Sequence, residues 1–70
     1  LNLLYSESCP YSKKVLNYLK QIHRKIPCTE VKNNPQAKEY LKTHGGIMQV
    51  PCLFVDGKPI YGADEIIDWL

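Results

Sequence analysis

The sequence predicts a single α/β domain: a mixed four-stranded sheet with helices on both faces. Its 70 residues leave room for one small domain, and its composition, 44% hydrophobic and 23% charged, is that of a globular chain. Short apolar runs alternate with stretches of helical periodicity in the order βαβαββα. The first β-α-β unit predicts two parallel strands joined by a right-handed crossover. The turn signal Asp56-Gly57 adds an antiparallel hairpin.

The first half of the chain predicts a strand, a long helix and a second strand. Residues 1–5 form a short apolar run that is typical of a buried strand. Pro10 begins the helix, because the N–H that proline lacks would have no partner in the first turn. This helix is predicted to end near Arg24, and its apolar positions repeat at helical spacing: Val15, Leu16, Leu19 and Ile22. Residues 27–31 predict the second strand.

The second half predicts a short helix, a hairpin and a last helix. Asn33-Asn34-Pro35 provides a capping residue before a proline, and Gly45-Gly46 marks the end of this helix. Residues 50–55 predict the third strand, and Pro59-Ile60-Tyr61 predicts the fourth. Residues 62–70 predict the last helix, because acidic side chains occupy its first turn and apolar side chains follow them.

Charge and hydropathy exclude several function classes. The net charge is +2 and there is no concentrated basic stripe, so we expect no nucleic-acid partner. No apolar run approaches the ~18 residues of a membrane-spanning helix, and residues 1–5 do not resemble a signal peptide. We therefore expect a cytoplasmic protein with no membrane partner. Because the sequence starts without Met and stops inside a predicted helix, we expect one or both termini to be trimmed.

The cysteine content argues against a disulfide framework and against a metal site. The chain has three cysteines, Cys9, Cys28 and Cys52, and an odd number cannot all pair within one chain. No two of them form a Cys-x-x-Cys pair, and His23 and His44 are not spaced as metal ligands. We expect no metal, and the default compartment is a reducing cytosol.

Cys9 is the candidate nucleophile because of its position at the start of the first predicted helix. As the N-cap residue it faces the free backbone N–H groups of the first turn, and the helix dipole adds positive potential. Lys13 and Lys14 lie within the same turns. These groups favour the thiolate, so the pKa of Cys9 is predicted to lie below its ordinary value. Ser12 lies on the same edge of the helix, where its hydroxyl can donate to the sulfur but cannot form a disulfide with it.

Four segments of the chain resemble the glutaredoxins of the thioredoxin-like superfamily. They are Tyr5 with Cys9-Pro10-Tyr11-Ser12, Val50-Pro51, Asp56-Gly57 and Gly62-Ala63-Asp64. The resemblance covers residues 1–70 and implies one domain of thioredoxin-like fold. It also implies a monomeric, glutathione-dependent thiol–disulfide oxidoreductase, with glutathione as co-substrate and glutathionylated proteins as partners. Cys9 would be the nucleophile, and Ser12, which stands where dithiol relatives have a resolving cysteine, makes the pattern monothiol.

The resemblance further implies a glutathione site beside the nucleophile. Pro51 matches the family's cis-proline, and Val50 would offer its backbone N–H and C=O to the cysteinyl part of glutathione, as an added strand does. Tyr11 would flank the tripeptide. Gln49 stands where the family usually has threonine, and it is a candidate partner, with Lys13, for the glycyl carboxylate.

Ala63 and Asp64 would hold the γ-glutamyl end of glutathione. Backbone N–H groups at the start of the last helix suit its carboxylate, and the carboxylate of Asp64 suits its ammonium group. Ala63 stands where the family has cysteine or serine, which leaves the backbone contacts intact.

Three side chains outside this site are predicted to be structural. Cys28 in the edge strand and Cys52 in the third strand are expected to pack as small buried residues. Strand alternation directs Cys52 to the face opposite Val50, so we do not expect it to resolve Cys9. Trp69 is expected to fill the core or an interface.

Two alternative functions remain open from the sequence. Gln49-Val50-Pro51 and residues 66–70 also resemble the N-terminal domain of glutathione S-transferases, which carry an all-helical second domain. Some monothiol relatives are carriers in which two copies and two glutathiones hold a [2Fe–2S] cluster through the nucleophilic cysteine. These usually have Cys-Gly-Phe-Ser, whereas Pro10 stiffens the loop here and removes a backbone donor.

Overall fold

The computed structural model describes all 70 residues and confirms the βαβαββα order. The strands are β1 (Asn2–Tyr5), β2 (Cys28–Glu30), β3 (Cys52–Val55) and β4 (Lys58–Tyr61). The helices are α1 (Pro10–Gln21), α2 (Pro35–Tyr40) and α3 (Ala63–Trp69), and a π-helical turn (Leu41–Gly45) extends α2. No helix is both long enough and apolar enough to cross a membrane.

The strands form one mixed sheet in the order β2-β1-β3-β4. β1 pairs in parallel with β2 and antiparallel with β3, and β4 pairs antiparallel with β3. In the central pair, Leu4 lies opposite Cys52. The end of β1 and the start of β3 therefore lie at the same end of the sheet. This brings the segment that follows Tyr5 next to the segment that precedes Cys52.

Each face of the sheet buries its own hydrophobic cluster, because successive strand residues point to opposite faces. The cluster under α1 and α3 consists of Leu3, Val15, Leu19, Leu53, Ala63 and Ile66. The cluster under α2 and the π-helical turn consists of Leu4, Val31, Ala37, Leu41, Cys52 and Phe54. Each fully buried aliphatic side chain contributes about 1.5–3 kcal/mol relative to exposure. Helices therefore cover both faces, as predicted.

Helix α1 ends earlier than predicted, at Gln21 rather than near Arg24. The backbone turns into the left-handed region at His23, with φ 53°. The N–H of His23 then donates to the C=O of Lys20 (3.2 Å), and that of Arg24 donates to the C=O of Leu19 (3.0 Å). This pair of hydrogen bonds satisfies the last carbonyls of the helix and stops it.

The second and third strands are also shorter than the predicted ranges 27–31 and 50–55. Pro51 has no N–H to donate to the ladder, so β3 begins after it, at Cys52. Val50 and Pro51 therefore lie in a loop, and the main chain of Val50 is not paired within the sheet. The Val50–Pro51 peptide bond is cis, as the family resemblance implied.

Cys28, which was predicted to be buried, is exposed, and of the two places predicted for Trp69, the core or an interface, the structure rules out the core. Cys28 is exposed at the start of the edge strand, where its thiol donates to the C=O of Ile26 (3.3 Å). The prediction was wrong because a three-residue edge strand has one side without a neighbour. Trp69 is 44% exposed and does not fill the core. The guanidinium of Arg24 lies 5.8 Å from the centre of its ring.

Tyr61 anchors the loop before β3 to the sheet. Its hydroxyl donates to the C=O of Ile47 (2.9 Å) and accepts from the N–H of the same residue (3.3 Å). Gly45 lies against this hydroxyl, and a Cβ at that position would collide with it. The close approach therefore requires glycine, and it fixes the segment that leads to Val50.

We expect Gly45→Ala to lower the free energy of unfolding by about 1–3 kcal/mol, because the new methyl group displaces the Tyr61 hydroxyl from Ile47. Tyr61→Phe removes the colliding oxygen, so the double variant should be more stable than the sum of the two single effects predicts. Urea denaturation of the four proteins measures this coupling. Additive effects would show that the two residues do not constrain each other.

Candidate active site

Cys9 is the N-cap residue of α1, as predicted from the sequence. Its backbone is extended (φ −92°, ψ 119°), and Pro10 follows at the first helical position. The C=O of Cys9 accepts from the N–H of Lys13 (3.1 Å), and its own N–H donates to the C=O of Ser6 (3.1 Å). These bonds hold a half-buried thiol at the end of the sheet where β1 stops.

The pKa of the Cys9 thiol is lowered from its ordinary value. Burial of the sulfur raises the pKa, but the N–H of Ser12, the hydroxyl of Ser12 and the N–H of Tyr11 together lower it by more. The sulfur accepts no capping hydrogen bond, so these N–H groups act on it as nearby dipoles. The lowering predicted from the sequence is confirmed. Its main sources are peptide groups and a neutral hydroxyl, not the lysines of the first turns.

Ser12 connects Cys9 to the loop before it. The side chain is fully buried, and its Oγ accepts from the N–H of Ser6 (3.2 Å). The same hydroxyl lowers the pKa of Cys9. Ser12 therefore holds the turn from Ser6 to Cys9 against α1 and stabilises the thiolate.

The Val50 loop lies directly beside the thiol. The S–H of Cys9 donates to the C=O of Val50, with 3.8 Å between sulfur and oxygen. When the thiol ionises it can no longer donate, and this carbonyl becomes free to accept a hydrogen bond from a ligand.

A surface cleft of about 350 Å³ opens between the start of α1, the Val50 loop and the start of α3. Its lining residues are Tyr11, Lys14, Gln49, Val50, Pro51, Gly62, Ala63, Asp64 and Glu65. The cleft thus brings together every residue predicted to contact glutathione except Lys13. That side chain lines a separate depression with Glu7, Asn17 and Lys20.

Sequence reasoning missed Lys14 as a cleft residue. Its Nζ lies 2.6 Å from Oδ1 of Asp64, so the ion pair links α1 to α3 across the cleft. The hydrogen bond to Asp64 and the charge of that carboxylate raise the pKa of Lys14. A signal was available, because Lys14 lies three positions after Tyr11 and residues at that spacing share a helix face.

The other two cysteines differ from Cys9 in burial and acidity. Cys52 is fully buried beneath the α2 face, as predicted, and burial raises its pKa to about 11. The pKa of Cys28 is also raised, by partial burial of its sulfur. Cys28 lies opposite Leu3 near the start of β1, whereas Cys9 follows the end of that strand.

Comparison with known protein families agrees with this arrangement. A family model described as Glutaredoxin matches residues 3–60, which is most of the chain. The chain belongs to the glutaredoxin family. Membership confirms the resemblance found in the sequence and supports a thiol–disulfide oxidoreductase type of role. No individual curated protein matches the chain. The glutaredoxin match stops before α3, so it includes Cys9 and the Val50 loop but not Asp64.

We expect the alkylation rate of Cys9 by iodoacetamide to fall with decreasing pH at a midpoint below the ~8.5 of a free thiol. Ser12→Ala should move this midpoint upward, because the variant loses a hydroxyl that favours the thiolate. The rate is followed by intact mass in a Cys28→Ser background, because the exposed Cys28 would also be alkylated. Ser8→Ala is the matched control, since its hydroxyl pairs with Ser6 (3.1 Å). Equal shifts in both serine variants would contradict this role of Ser12.

Native protein should accept two alkyl groups, on Cys9 and Cys28, and a third only after unfolding. Cys52 is protected because it is fully buried and because its pKa of about 11 leaves almost no thiolate at neutral pH. Intact mass before and after denaturation counts the adducts, and Cys28→Ser should remove one of the native two. Rapid labelling of Cys52 in the native protein would contradict the structure.

Proposed function

We propose that the chain is a monothiol glutaredoxin that reduces glutathione mixed disulfides through Cys9, with glutathione as co-substrate. The observation that carries this proposal is the combination at Cys9: an accessible thiol of lowered pKa beside a cleft, with Ser12 at the resolving position. The glutaredoxin family match supports the general reaction class. The three free cysteines suit a reducing compartment such as the cytoplasm.

The reaction would run in two thiol–disulfide exchanges. The Cys9 thiolate attacks the glutathione sulfur of a mixed disulfide, so a Cys9–glutathione disulfide forms and the protein substrate leaves as a thiolate. A second glutathione, as its thiolate, then attacks the sulfur of the bound glutathione. Glutathione disulfide is released, and Cys9 returns as a thiolate. Each step exchanges one S–S bond for another, and no further oxidant or reductant is consumed.

The cleft would position glutathione for the first attack. Ionisation of Cys9 frees the C=O of Val50, which can then accept the N–H of the cysteinyl part of glutathione. Tyr11 is 67% exposed at the mouth of the cleft and can pack against the tripeptide. Gln49 offers its side-chain amide to the glycyl carboxylate from the same loop.

Ala63 and Asp64 would complete the site from the α3 side of the cleft. In the structure the carboxylate of Asp64 is occupied by Lys14, so a γ-glutamyl ammonium group must replace that partner to bind there. Lys13 lies outside the cleft, which leaves Gln49 as the stronger candidate for the glycyl carboxylate.

The monothiol assignment rests on the positions of the other two sulfurs. Cys52 is fully buried and is a poor nucleophile at neutral pH because burial raises its pKa to about 11. Cys28 lies toward the opposite end of the sheet. Both observations argue against attack by either sulfur on a disulfide at Cys9. The glutaredoxin match favours this oxidoreductase over the transferase domain, and no observation favours the cluster carrier.

In a Cys28→Ser background, glutathione disulfide should add one glutathione to the chain, on Cys9. Ser12→Cys should lose this adduct and form an internal disulfide, because the attack becomes intramolecular. Cys9→Ser should take up no glutathione, and its turnover in a glutathione-coupled mixed-disulfide assay should fall to background. Intact mass distinguishes the three proteins. If the protein with Ser12 unchanged forms an internal disulfide instead of the adduct, and Cys52→Ser restores the adduct, Cys52 resolves Cys9. That result would overturn the monothiol assignment.

A further inference from the structure

Two adjoining depressions on helix α1 form one surface outside the cleft. The first starts at the loop before Cys9, where Lys13 lines it. The second, of about 590 Å³, ends at Cys28 near the start of β2. Leu16 and Lys20 line both depressions, so the two are continuous, and we call them the α1 groove. Because a helix rises about 1.5 Å per residue, the groove runs roughly 15 Å from the Cys9 loop toward β2.

Cations dominate the charge of the α1 groove. Its lining includes four of the nine Lys and Arg side chains of the chain: Lys13, Lys20, Arg24 and Lys25. Glu7 is the one anion that lines it, at the end nearest Cys9. The only ion pair in the structure joins Lys14 to Asp64, so the four cations of the groove have no carboxylate partner.

The end of α1 does not use these cations as caps. Its last carbonyls accept from the backbone N–H groups of His23 and Arg24. The guanidinium of Arg24 lies 5.8 Å from the centre of the Trp69 ring, a contact that orients the group without neutralising its charge. The positive charge of the groove is therefore available to an external anion.

The floor of the α1 groove is apolar and consists of Leu16, Leu19 and Ile26. Hydrocarbon beside cations suits an acidic polypeptide, because such a segment offers carboxylates and apolar side chains together. It suits a nucleic acid less well, since no Phe, Tyr or Trp side chain lines the groove for a base to stack on.

We propose that the α1 groove binds an acidic segment of the glutathionylated protein substrate while the modified cysteine of that protein lies at Cys9. The inference rests on the proposed function, in which the Cys9 thiolate attacks the mixed disulfide. Carboxylates of the segment pair with the lysines and the arginine of the groove, and its apolar side chains cover the floor. About five residues of extended chain span the groove at 3.3 Å per residue. The groove selects among proteins and does not touch the glutathione part.

Glutathionylated peptides that differ only in charge test this selection. Each has one glutathionylated cysteine and a flexible Gly-Ser linker to a six-residue segment, made of Glu and Leu in the first peptide and of Gln and Leu, in the same order, in the second. Lys20→Met/Lys25→Met should raise KM about two- to five-fold for the Glu peptide. The KM for the Gln peptide and for the mixed disulfide of glutathione with mercaptoethanol should stay unchanged, as should kcat for all three substrates.

Lys38→Met/Lys42→Met is the matched control, because it removes the same charge from exposed positions on the α2 side of the sheet. If both double variants change KM for the Glu peptide alike, the effect is one of net charge and the inference is wrong. Wild-type turnover of all three substrates without a lower KM for the Glu peptide than for the Gln peptide overturns the inference alone. A wild type inactive on all three overturns the proposed function as well.

Binding is measured separately from turnover at Cys28, which is exposed and lines the groove. In a Cys9→Ser background, the Glu and Leu segment without its cysteine should slow alkylation of Cys28 by iodoacetamide, a neutral reagent. Lys20→Met/Lys25→Met should weaken this protection. Single-stranded oligothymidylate of equal charge should not protect Cys28. Equal protection by the oligonucleotide would show a general polyanion site and overturn the inference, as would a Cys28 that the peptide leaves unprotected.

Discussion

The antiparallel pairing of β1 with β3 is the constraint on which the site depends. It places Leu4 opposite Cys52, so the loop that leaves β1 and the loop that enters β3 emerge side by side. Cys9 and Val50 are 41 residues apart in sequence, yet the sulfur of one lies 3.8 Å from the carbonyl oxygen of the other. The pairing is held from both faces, because alternate residues of the two strands belong to different hydrophobic clusters. A slip of one residue in register would exchange the two sets of buried side chains.

The family match covers one side of the cleft and not the other. Cys9 and the Val50 loop lie within the part of the chain that matches the glutaredoxin family, and their contact is made to a backbone carbonyl. The start of α3 lies beyond that match and supplies charged side chains. Tyr61 and Gly45 connect the two parts, since the tyrosine lies just before α3 and its hydroxyl holds the loop that leads to Val50. The family match therefore covers Cys9 and the Val50 loop, whereas the charged side of the cleft lies outside it.

Features determined by local sequence were predictable, and features determined by long-range packing were not. The N-cap position of Cys9 follows from the proline after it, so both the helix start and the lowered pKa could be predicted. The orientation of Lys14 depends on where α3 packs against α1, which no local pattern reports. The early end of α1 was missed because His23 takes a left-handed conformation that usually signals glycine. The exposure of Cys28 was missed because a three-residue strand is too short to show alternation.

Burial opposes the ionisation of Cys9, and its lowered pKa comes from the N–H groups of Ser12 and Tyr11 and from the neutral hydroxyl of Ser12. Dissolved ions do not screen fixed dipoles at such short range, whereas they do screen charges on exposed side chains. The contribution of these groups to the thiolate fraction of Cys9 is therefore nearly independent of ionic strength. The charged mouth of the cleft, formed by Lys14 and Asp64, has no such protection. Rising salt therefore weakens the ion pair of Lys14 and Asp64 before it affects the ionisation of the sulfur.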